Sequence, residues 1–98
     1  MEHGPLDLYI HSHYTIVWDR NKSAQLLERH GLSFEELIQE PILAFIDHPS
    51  RRNQKLLLIE YADYVWTAPC VANGDELFLK TLYPSRKHTK LWRRGEFG

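Results

Sequence analysis

Between residues 42 and 83 the chain offers four apolar, β-branched or aromatic runs, separated by breaks too short to hold a helix. Ile42–Asp47, Lys55–Tyr61, Tyr64–Ala72 and Glu76–Tyr83 are parted by a polar loop at 48–54, by Ala62-Asp63 and by Asn73-Gly74-Asp75. A parallel pair needs a crossover of roughly a dozen residues or more, so breaks of this length permit only antiparallel hairpins. Asn-Gly is the strongest short hairpin signal, because both residues tolerate positive φ. The run KLLLIEY (Lys55–Tyr61) is nearly continuous in apolar residues, which predicts a central strand. Pro69 cannot donate to a ladder, so the following strand carries an edge or a bulge there. In the last strand, alternation predicts Leu77, Leu79, Thr81 and Tyr83 on one face and Phe78, Lys80 and Leu82 on the other.

Helices are predicted on either side of this block. Tyr14–Trp18 suits a first strand. Asp19 or Asn21 then caps a helix through Arg29 or His30, with Gly31 where a left-handed C-cap belongs. Ser33-Phe34-Glu35-Glu36 has the capping-box form, and Leu32 and Leu37 are spaced as a hydrophobic staple. That second helix stops before Pro41. Pro84 ends the last strand, and Ser85 caps a final helix to about Arg93. Residues 1–13 show no period and read as an irregular arm, leaving 14–98 as a single domain. The predicted fold is α+β: an antiparallel sheet of four to five strands, with two N-terminal helices and a short C-terminal helix on one side.

Ninety-eight residues hold one hydrophobic core and not two. The sequence has no apolar run near the ~20 residues of a membrane helix and no signal-peptide layout, so a cytoplasmic protein without membrane contact is expected. Cys70 is the lone cysteine, and no Cys/His spacing points to zinc, so neither a metal nor a cofactor is implied. Net charge is −1, yet Lys80–Arg94 carries Lys80, Arg86, Lys87, Lys90, Arg93 and Arg94 and no acid. Ser33–Asp47 holds Glu35, Glu36, Glu40 and Asp47 and no base. Such asymmetry points to a local anion-binding surface or, more plainly, to a solvated basic helix.

Trp18-Asp19-Arg20-Asn21-Lys22 followed by Glu28-Arg29-His30-Gly31-Leu32-Ser33-Phe34-Glu35-Glu36 resembles the opening of the BrnT-like toxins, a RelE-related group of small ribonucleases. Phe78–Lys87 resembles their closing strand and helix, and His48-Pro49 with Asn53-Gln54-Lys55 resembles one branch of them. The resemblance spans residues 14–92. It implies a RelE-like fold, RNA cleavage without metal, and neutralisation by a directly bound antitoxin. Antitoxins of this kind usually carry their own DNA-binding domain, so operator DNA would be reached only through the partner.

Metal-free cleavage uses the neighbouring 2′-hydroxyl as nucleophile and needs a base, an acid and cations around the phosphate. Arg86, at the start of the last helix, suits the phosphate through its planar fork and the free N–H groups beside it. Lys87 is a second phosphate contact, and Lys80 feeds in from the preceding strand. His48 and His88 are both acid–base candidates, since only histidine titrates near neutrality unaided. Tyr83 can stack on a base, while Arg51, Arg52 and Lys90 extend the RNA contact. Plainer readings stand beside these: Lys80 as a snorkelling lysine, His48 as a loop residue, and Trp18, Trp66 and Trp92 as core or antitoxin-facing groups. His30 has a sufficient role at a helix C-terminus. Such toxins often have an acid near Trp92 and an alanine at His88, so a second function stays open: a cleavage-inactive module that acts with a DNA-binding antitoxin as a repressor complex.

Overall fold

The computed structural model describes residues 5–96. Its elements are α1 (Pro5–His13), β1 (Thr15–Trp18), α2 (Arg20–His30), α3 (Phe34–Leu37), β2 (Ile42–Asp47), β3 (Gln54–Tyr61), β4 (Tyr64–Asn73), β5 (Glu76–Leu79), β6 (Tyr83–Pro84) and α4 (Arg86–Arg93). The fold is α+β. The strands lie in the order β1-β5-β4-β3-β2, with β6 also on β4. β2–β3, β3–β4 and β4–β5 are antiparallel, as the short breaks require. The local signals hold as well. Asp19 caps α2, Gly31 ends it at φ 73°, Ser33 and Glu36 form the capping box, and Ser85 caps α4.

Four expectations are corrected. The arm is helical over Pro5–His13, and residues 1–4 lie outside the described residues. One apolar side chain anchors that helix: Ile10 is fully buried, while Asp7 accepts the Ile42 N–H at 3.3 Å. Nine residues with no clear period conceal this, because burial of a single Ile leaves no repeat to read.

The sheet is not purely antiparallel, since β1 pairs with β5 in parallel, Thr15 to Trp18 against Glu76 to Leu79. Hairpin signals fix only neighbours in sequence, and β1 is cut off from the other strands by two helices.

The helices cover both faces. Leu57, Ile59, Ala68, Cys70, Leu77 and Leu79 pack with Ile10, Leu26, Phe34 and Leu37 of α1–α3. On the opposite face Ala44, Leu56, Leu58 and Val65 pack with Trp92 of α4. A strand apolar on consecutive residues, as β3 is over Leu56–Ile59, needs cover on both sides.

The last predicted strand is interrupted. Leu79 pairs with Cys70 but Tyr83 pairs with Thr67, so four steps on one strand oppose three on β4. One extra residue makes a bulge and exchanges the faces beyond it. Leu82 is therefore buried and Tyr83 exposed, the reverse of the simple alternation.

Candidate nucleic-acid interface

Helix α4 is held against β4 by its own first turn. Ser85 Oγ accepts the His88 N–H at 3.1 Å, and the Ser85 N–H donates to Val65 O at 2.8 Å. Buried Thr89 donates from Oγ1 to Ser85 O at 2.6 Å and accepts the Val65 N–H at 2.9 Å. At the far end Arg93 donates to Asp63 O at 3.0 Å. With Trp92 and Thr89 turned to the sheet, the helical period sends the cations outward. Arg86, Lys87, Lys90 and Arg94 line one shallow groove with Leu91. Arg94 pairs with Glu96 at 3.6 Å, whereas Arg86, Lys87 and Lys90 form no ion pair among the described residues. Uncompensated cations beside the free N–H groups of a helix start form a surface that attracts phosphate.

His88 stands in this first turn. Its Nδ1 lies 2.9 Å from Ser85 Oγ. Burial first, then the charge of Lys87, lowers its pKa below the usual imidazole range. A ring neutral at physiological pH is suited to accept a proton. Tyr83, 41% exposed on β6, pairs with Thr67 near the start of this helix, whereas exposed Lys80, whose N–H donates to Pro69 O at 2.8 Å, lies four residues of β4 from Val65, roughly 13 Å.

His48, Arg51 and Arg52 are not brought to this place. They line a concavity in the β2–β3 loop, at the opposite end of the sheet. α4 begins at Val65, whereas the loop meets β4 at Val71, the partner of Gln54. Six residues of strand separate them by roughly 20 Å. His48 Nδ1 accepts the N–H groups of Ser50 and Arg51, both at 3.1 Å, and so closes its own loop.

The aromatic and acidic motif residues of the N-terminal segment are held in structural contacts. Trp18 donates its indole N–H to Glu35 at 3.2 Å, and Ser23 Oγ donates to the same carboxylate while accepting the Phe34 N–H at 3.0 Å. The Ser23 hydroxyl is the first cause of a Glu35 pKa below the usual carboxylate range. His30 packs edge-on to Trp66, 5.7 Å between ring centroids. Burial pushes the Cys70 thiol up to about 12, which leaves it inert in the core. Among the described residues no three His, Cys, Asp or Glu side chains gather as metal ligands, and no helix is long and apolar enough to cross a membrane.

Two contributors were not legible in sequence. Thr89 anchors the helix, and its only signal is a polar residue on the apolar side of α4. Phe78, 41% exposed, sits on the sheet face that α4 leaves open. Its signal was the alternation that already set it opposite Leu77 and Leu79.

No protein-family model and no curated protein matches the chain. Among solved structures it is similar to the crystal structure of the Brucella abortus ribonuclease toxin BrnT, with a TM-score of 0.58 and 20% identity. The match covers 74% of this chain and 96% of that one. In fold, therefore, the chain is BrnT-like.

Proposed function

We propose that the chain is the toxin of a bacterial type II toxin–antitoxin pair, an endoribonuclease that arrests translation by cutting RNA without a metal. The observation that carries this reading is a BrnT-like fold whose last helix presents Arg86, Lys87 and Lys90, with no ion pair among the described residues, beside a histidine of lowered pKa. In the reaction, neutral His88 takes the proton of a ribose 2′-hydroxyl. The 2′-oxygen attacks the adjacent phosphorus, and the bond from phosphorus to the 5′-oxygen breaks. A 2′,3′-cyclic phosphate and a 5′-hydroxyl result, the leaving oxygen taking its proton from water or the imidazolium. Arg86 and Lys87 neutralise the charge that gathers on the phosphoryl oxygens, with Lys80 and Lys90 along the flanking backbone and Tyr83 against a base. Arg51 and Arg52 reach a distant part of the same RNA, and His48 shapes the loop that carries them. An antitoxin covering the basic helix silences the site through charge complementarity, and operator DNA is bound only through that partner. The protein acts in the cytoplasm.

A second reading is a cleavage-inactive module within a repressor complex. It is favoured by one observation: α4 carries no carboxylate, which leaves His88 as its single acid–base group. Purified protein incubated with RNA in the presence of a chelator separates the two. The nuclease reading expects fragments ending in cyclic phosphate, and a loss of about 100-fold or more in rate for Arg86→Ala. Intact RNA would leave the binding module, and cleavage that requires a divalent cation would remove the mechanism.

A further inference from the structure

α4 covers only part of its face of the sheet, and what it leaves open has a definite chemistry. Strand register places Val17, Phe78 and Val71 side by side across β1, β5 and β4. A second row runs through Pro69, Leu56 and Ile46 on β4, β3 and β2. Phe78 and Ile46 are 41% and 40% exposed, and Val17, Pro69 and Val71 are half-buried. Tyr83 lies further along the same face, opposite Thr67. Phe78 and Tyr83 mark β4 at Val71 and Thr67, four residues or roughly 13 Å apart. The bulge makes this alignment possible: the extra residue turns Tyr83 onto the face that Phe78 already occupies.

Charge identifies the occupant. Lys80 follows Phe78 closely, and Arg86, Lys87 and Lys90, without an ion pair among the described residues, follow Tyr83 in sequence, while residues 77–95 hold no acid. The acid nearest Phe78 in sequence is Glu76, at the strand start away from α4. Arg51 and Arg52 stand beyond Phe78, in the loop that meets β4 at its partner Val71, so cations lie past both rings of this face. Two exposed rings on an open sheet with cations beyond each of them suit unpaired bases, whose π-faces are free to stack. A duplex keeps those faces inside.

We infer that the open sheet face is a stacking platform for single-stranded RNA, with Phe78 as a base-binding residue that feeds the strand past Tyr83 to Arg86. This rests on the nuclease reading above and specifies its substrate as unpaired RNA.

The test is binding of the full chain to a fluorescent 2′-O-methyl oligouridine, which lacks the nucleophile, and to the same strand annealed to its complement. Wild type is expected to prefer the single strand. Phe78→Leu keeps an apolar strand residue without a ring and is expected to weaken single-strand binding by about 10-fold. Phe78→Tyr restores it. The dependence of affinity on salt should stay that of wild type in Phe78→Leu, whereas Arg86→Ala should lower the slope by about one. Unchanged affinity in a folded Phe78→Leu protein, or equal binding of the duplex, would overturn the platform while leaving the nuclease reading intact. Loss of antitoxin binding with RNA binding unchanged would make this face a protein dock and overturn it too. Wild type that binds no RNA of either form would remove the nuclease reading itself.

Discussion

His48 and His88 are the same residue type set to different work by what meets Nδ1. In His48 that nitrogen receives two backbone N–H groups, the position an Asn or Asp side-chain oxygen takes in a turn. In His88 it meets a helix-capping serine, in the turn that also carries Arg86 and Lys87. His48→Asn should therefore keep both fold and cleavage, and His48→Ala should cost about 1 kcal/mol of stability or less, through loss of the two loop-closing hydrogen bonds. His88→Gln should abolish the acid limb of the rate profile. The proposed mechanism requires neutral His88, so kcat/KM should fall as pH drops through a pKa below the usual imidazole range, and stay level above it. A pH series on the three variants and wild type checks both statements. An inactive, well-folded His48→Asn would exchange the two roles. Sequence alone could not separate these histidines, because each is a polar residue close to a basic pair. Only the fold shows that one pair sits roughly 20 Å along β4 from the other.

At the scale of elements, turns and caps were readable and partners were not. Ser33 with Glu36, Gly31 after His30, and Ser85 before α4 each act within a few residues, so composition at fixed spacing reveals them. The parallel β1–β5 pair depends on the path of two helices, and the bulge between Leu79 and Tyr83 inserts one residue that alternation cannot show. The β3–β4 hairpin turns on Ala62 and Asp63 at φ 53° and 60°, the geometry for which Asn-Gly is favoured. An alanine held there stores about 1 kcal/mol of strain. Ala62→Asn should recover most of it and raise the Tm by roughly 4–8 °C, as read by thermal unfolding. An unchanged or lower Tm would mean that this turn is not under strain. Asn keeps the turn geometry, and Arg93 of α4 bonds the Asp63 carbonyl rather than the side chain at 62, so the substitution should not slow cleavage.

Across the whole molecule the sheet separates a structural side from a working side. α1, α2 and α3 close one face over the larger core, and the Trp18–Ser23–Glu35 hydrogen bonds lock α2 to α3 there. Among the described residues the other face carries α4 alone, so the helix cations stand at one end of it, with Tyr83 and Phe78 spaced along the sheet beyond. This explains why the motif residues of the N-terminal half resemble those of the toxins yet take no part in the proposed chemistry: they preserve the frame. The central claim is that this surface cuts RNA. Induced expression in a bacterium, wild type against Arg86→Ala at equal soluble level, with growth followed and total RNA resolved on a gel, tests it most directly. Arrest and fragmented RNA are expected with wild type, and normal growth and intact RNA with the variant. Normal growth and intact RNA with folded wild type would contradict it.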